Sequence, residues 1–147
     1  MGCTMELTVE IRDQAPWGIW VTQITDFFVP RNYRLFSLAG WHGRRDYPDA
    51  SWLLAPLVAP RGLPADCHPA TQARYDQSFA ARRDATWLSA QEWAAIVARL
   101  RDPAFRSRDE AGREHAPNGL VDAAALAALL NAYAGMGKDA RVICWFD

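Results

Sequence analysis

At 147 residues, half of them apolar and 22% charged, the chain has the size and balance of one globular domain and not of a disordered segment. A net charge of −1 and a pI near 6.3 exclude a general attraction to duplex nucleic acid or to an acidic membrane surface. The basic residues are lopsided, fifteen arginines against the single Lys138, so an arginine's position carries more meaning than its presence.

The chain begins with "MGCTMELTV", which lacks the apolar core of a secretory signal; residues 1–4 are expected to be a loose extension before Met5. In "MELTVEIRD", Leu7, Val9 and Ile11 alternate with Thr8, Glu10 and Arg12, the period-two pattern of a strand with one buried face. "WGIWVTQITDFF" (17–28) is β-branched and aromatic, either a second strand or an irregular segment. From Asn32 the spacing changes: Tyr33, Leu35, Phe36, Leu38 and Ala39 fit a short helix stopping at Gly40. "WHGRRDYPDAS" is turn-rich, and Pro56 and Pro60 deny "WLLAPLVAPRGLP" a place as a central strand. A short helix is expected within 69–82.

Ser89 and Glu92 have capping-box spacing, and Trp93, Ile96, Val97 and Leu100 then fall on one helical face ahead of Pro103. Residues 102–119 are polar and aperiodic, the pattern of a long mobile loop. An alanine-rich helix follows, with Leu126, Leu129, Leu130 and Tyr133 on its apolar side and Gly135 or Gly137 as its stop. "ARVICWFD" closes as a strand. These elements make a single α+β domain: a small, mostly antiparallel sheet containing the first and last strands, with helices packed on one face. No run reaches the ~20 apolar residues of a membrane span, so no membrane partner and a cytoplasmic location are expected.

Chemistry leaves few local traces. His42, His68 and His115 are scattered, and Cys3, Cys67 and Cys144 are far apart and odd in number, so no metal is expected and the cysteines fit free thiols. There is no GxSxG elbow and no phosphate loop, and no cofactor is expected. The informative stretch is "VPRNYRLFSLAGWHGRRDYPDASW" (29–52), where Arg31, Arg34, Arg44 and Arg45 surround Tyr33, Trp41, His42 and Tyr47. Guanidinium forks hold phosphate oxygens and aromatic faces stack on bases. The first half fits an amphipathic helix with Tyr33 and Phe36 inward and Asn32 as its cap. The second half fits a binding loop or a solvated turn equally well. In "APRGLP" (59–64), Pro60 and Pro64 stiffen a turn, Gly62 permits a positive φ or a close backbone approach, and Arg61 is displayed for an anion or for a nearby carboxylate.

"RNYRLFSLAG" (31–40), "PRGLP" (60–64), "TWLSAQEW" (86–93) and "VICWFD" (142–147), taken in this order, resemble a family of small uncharacterised proteins encoded in bacteriophages, prophages and actinobacterial or proteobacterial genomes. The likeness spans most of the chain, though each motif is short. Relatives carry a His-Ser-His-Ser run where this chain has "RRDAT" (82–86), and 102–119 has no counterpart. The resemblance implies a phage-type accessory protein, acting in the host cytoplasm, and gives weight to Arg31, Asn32, Arg61, Gly62 and Asp66.

The leading expectation is a non-enzymatic counter-defence protein that sequesters an anionic, nucleotide-like signalling molecule. Its ligand-binding residues would be Arg31, Asn32, Trp41, Arg44, Tyr47, Arg61, Gly62 and Asp66. That expectation needs Arg31 and Arg61 to converge on one concave site. The alternatives are an inhibitor or adaptor that binds a host protein, and a small hydrolase using Asp66 and His68. A homodimer is a reasonable form, since paired subunits supply a cleft.

Overall fold

The structure, a computed structural model, describes residues 3–41, 53–78 and 83–146. A four-stranded antiparallel sheet runs in the order β2-β1-β6-β3, formed by β1 (Met5–Asp13), β2 (Val21–Ile24), β3 (Arg83–Ser89) and β6 (Lys138–Phe146). The first and last strands pair along their whole length, from Met5 opposite Phe146 to Asp13 opposite Lys138. They form the centre of the sheet, leaving β2 and β3 as its edges.

One face carries Leu7, Val9, Leu88, Val142, Cys144 and Phe146 and packs beneath α1 (Tyr33–Leu38), α3 (Ala90–Leu100) and α4 (Leu120–Gly135). The sequence signals for these helices hold. Asn32 Oδ1 accepts the amides of Arg34 (3.0 Å) and Leu35 (3.2 Å), and both bonds of the Ser89–Glu92 capping box are made. Trp93, Ile96, Val97 and Leu100 are buried, and the Trp93 indole donates to the Ala123 carbonyl (2.9 Å), tying α3 to α4. Past the end of α4, Gly137 takes a left-handed φ of +74°.

Two expectations about the sheet need correction. Thr8 and Glu10 do not face solvent: both are fully buried, so β1 is covered on both faces. The helices are also not confined to one face. α2 (Pro69–Gln77) lies on the second, where Arg74 donates to the Leu7 carbonyl (2.6 Å) and to Glu6 (2.7 Å), and Tyr75 packs edge-on against Trp145. The first five residues of the 102–119 segment hold a 3-10 turn (Pro103–Phe105), and a two-stranded ladder of β4 (Ser107–Arg108) and β5 (Glu114–His115) follows. Cys3 is tied in as well, since Arg31 Nε donates to its carbonyl (2.9 Å) and Cys3 packs on the core.

Candidate functional site

The second face of the sheet is built on charge. Glu10 stands opposite Arg141 in the central strand pair. Glu10 Oε2 accepts from Arg141 Nε (3.0 Å) and Nη2 (2.8 Å), while its Oε1 accepts from the His68 amide and the Thr71 hydroxyl, both at 2.7 Å. Four donors thus satisfy a carboxylate with no solvent contact. Such complete pairing is the condition under which a buried charge is tolerated. His68 caps α2 in turn: Nδ1 accepts from the Ala70 amide (3.1 Å), which leaves the ring proton of neutral His68 on Nε2.

Arg141 is 4% exposed, and its second partner reaches it from the loop ahead of α2: Asp66 Oδ1 accepts from Nη1 (2.9 Å). Partial burial pushes the Asp66 carboxyl up, but the hydrogen bond and positive charge of Arg141 outweigh it. With smaller help from the Trp20 indole N–H, they hold Asp66 below its ordinary value. The Arg141 guanidinium lies 3.9 Å from the Trp20 ring and 5.9 Å from the Trp87 ring, and Arg12 lies 4.5 Å from Trp20. Both indoles are half-buried.

Around this cluster opens a cleft of about 670 Å³. Trp20 arrives from the β1–β2 connection, Trp87 from β3, Asp66 from the 59–68 loop and Arg141 from β6. Ala90 and Gln91, in the first turn of α3, also line it, and a helix start offers unpaired amides and a partial positive charge. Three cations, Arg12, Lys138 and Arg141, face two carboxylates, Asp66 and Asp139, so the cleft is close to neutral.

The residues singled out from the sequence separate. Asp66 lines the cleft. Arg61 does not reach it with a free guanidinium: Nη1 and Nη2 bond both oxygens of Glu92 (2.9 and 2.5 Å), Nη1 also donates to the Trp87 carbonyl (3.2 Å), and the group stacks 4.2 Å from the Trp87 ring. It braces the wall that carries Trp87. Gly62 has a φ of +75° with open space where a Cβ would stand, so it serves the turn and not a close approach. Asn32 is the cap of α1 and also donates to the Asn118 carbonyl (2.7 Å). Arg31 is engaged with Cys3 and shares no partner with Arg61. Trp41 is buried and stacked on Tyr33, ring centres 5.0 Å apart. Arg44 and Tyr47 lie outside the described residues, as do all of residues 42–52.

The Asp66–His68 pair suggested for hydrolysis is not assembled, since Asp66 is bound to Arg141 and His68 to the start of α2 and to Thr22 (3.1 Å). Burial, first of all, pushes the Cys67 thiol up, and pushes that of Cys144 to about 12, so neither is poised as a thiolate. Among the described residues no group of three or more potential metal ligands occurs, and no helix is long and apolar enough to cross a membrane.

From the sequence, Trp20 and Trp87 read as core or interface residues rather than ligand platforms, and Arg141 carries no assigned role; the structure places all three on the cleft. The available signal was a charge at a period-two position in each terminal strand, Glu10 and Arg141, which become cross-strand partners once the strands pair. Comparison with protein-family models, with curated proteins and with solved structures finds no match to this chain.

Proposed function

We propose that the protein is a binding protein that captures a small, nucleotide-like molecule, a flat ring carrying an anionic group, in the cleft between Trp20 and Trp87. One observation carries the reading: two half-buried indoles flank a pinned guanidinium in an open cleft of about 670 Å³. A ring stacks on an indole face, and its anion meets the N–H groups that Arg141 does not give to Glu10 and Asp66, together with the first amides of α3. Because Glu10 and Thr71 hold Arg141 and its surroundings in place before the ligand arrives, little entropy is lost on binding. Near-neutrality of the lining favours one anionic group over a polyphosphate. In a phage-type accessory protein of the kind the sequence resembles, capture of this sort would withdraw a signalling nucleotide from host defence.

The reading assigns Asp66 a second role. Its carboxylate, 63% exposed, lies on Arg141 Nη1 beside the N–H groups left for the ligand's anion, so the two negative charges repel. The test is thermal unfolding with a panel of nucleoside monophosphates, cyclic nucleotides and ADP-ribose-type compounds, followed by recovery of the ligand. A binder present at a hundred times its Kd adds about 2.7 kcal/mol, a Tm rise of about 5–10 °C for a chain of this size. Trp87→Ala should abolish the shift, Asp66→Asn should enlarge it, and the ligand should be recovered intact. Absence of a shift with every compound, for both the native chain and Asp66→Asn, would sink the proposal.

A further inference from the structure

The cleft leaves one conspicuous surface unused. Trp17, Ile19 and Val21 are 80%, 74% and 42% exposed, and with Ile11 they line a shallow groove of about 360 Å³ beside edge strand β2. Apolar side chains this exposed, grouped in one place, mark interaction surfaces. The backbone here is open as well. β2 pairs with β1 on one side, and among the described residues its outward amides and carbonyls take no backbone partner. Edge strands are usually guarded by lysine, proline or an inward charge, yet "WGIWVTQIT" (17–25) contains no charged residue and no proline. The register shift in the β1–β2 pair leaves Gln23 without a partner, a bulge that limits further pairing to the stretch ahead of it.

We infer that this strip is the interface with a second copy of the chain, two β2 edges meeting antiparallel across a two-fold axis. The charges favour an identical partner. Flanking the strip, Lys138 pairs with Asp13 and Arg12 with Asp139 (3.0 Å), so each rim carries its own cancelling signs. Such a surface neither repels its copy nor attracts a strongly acidic or basic one. An isologous contact also places Trp17, Ile19 and Val21 of one protomer over the same residues of the other, and each edge supplies the backbone partner the other lacks. Arg12 and Lys138 line the groove and the cleft alike, so the two copies would bring their clefts to either side of the axis.

Sedimentation equilibrium of the full chain tests this. The expected result is twice the 16.5 kDa protomer mass for the native chain. Ile19→Lys and, separately, Trp17→Ser should raise the dissociation constant by roughly 100-fold and leave a folded protomer with the native circular-dichroism spectrum, because both side chains are solvent-exposed within the protomer. Val121→Lys, on an equally exposed apolar residue of α4, should leave the dimer intact. A native chain that stays monomeric at micromolar concentration overturns the inference. So does a dimer that survives both strip variants, or one that Val121→Lys disrupts.

Discussion

Arg61 illustrates how a side chain displayed on a stiff turn can end as a brace. Its fork on Glu92 completes a chain of contacts, since Glu92 Oε2 also accepts the Ser89 amide (2.8 Å) in the capping box. The bond to Arg61, more than any other influence, holds the Glu92 carboxyl below its ordinary value of 4.5. A depressed carboxylate stabilises the fold above its unfolded-state pKa, and that stabilisation is lost as pH falls through the folded-state value. Arg61→Ala should therefore cost about 1–2 kcal/mol at neutral pH, a magnitude reduced by the partial exposure of both groups. Urea unfolding should show the native chain and the variant converging in stability well below the ordinary glutamate range. The sequence set out both fates of Arg61, an anion or a nearby carboxylate; it could not choose, because Glu92 is reached only through the fold.

At the scale of elements, local chemistry was legible and tertiary cover was not. The caps of α1 and α3 could be read from Asn32 and from Ser89 with Glu92 because each cap is made within four residues. Ser89→Ala should lower stability by about 1 kcal/mol, measured by urea unfolding, as expected for losing an N-cap. β3 escaped notice because its alternation is short and runs straight into the stronger capping signal at Ser89. The polar residues of β1 looked like a solvent face because α2, which covers them, is contributed by residues 69–77 and carries no strong apolar stripe of its own; its one fully covered residue is Thr71. The cleft was hidden for the same reason. Four separate elements bring Trp20, Asp66, Trp87 and Arg141 together, and no two of them are neighbours in sequence.

For the molecule as a whole, the Glu10–Arg141 pair is the point where sheet, α2 and cleft meet. Glu10→Ala leaves Arg141 buried with Asp66 as its remaining carboxylate and strips the His68 amide and Thr71 hydroxyl of their acceptor, so a loss of about 3–5 kcal/mol is expected on equilibrium unfolding. Adding Arg141→Met should restore part of that loss, and only part, because the two α2 donors stay unpaired. The placement of β6 has a temporal consequence. It is the last of the described elements along the chain, yet it occupies the middle of the sheet, between β1 and β3. Until residues 138–146 have been synthesised, a growing chain can pair β1 with β2 only, and it must carry Leu7, Val9 and Leu88 uncovered by their central partner. Assembly therefore waits on closure of the longest loop in the fold, which makes the nascent chain slow to settle and dependent on protection from aggregation during its own synthesis.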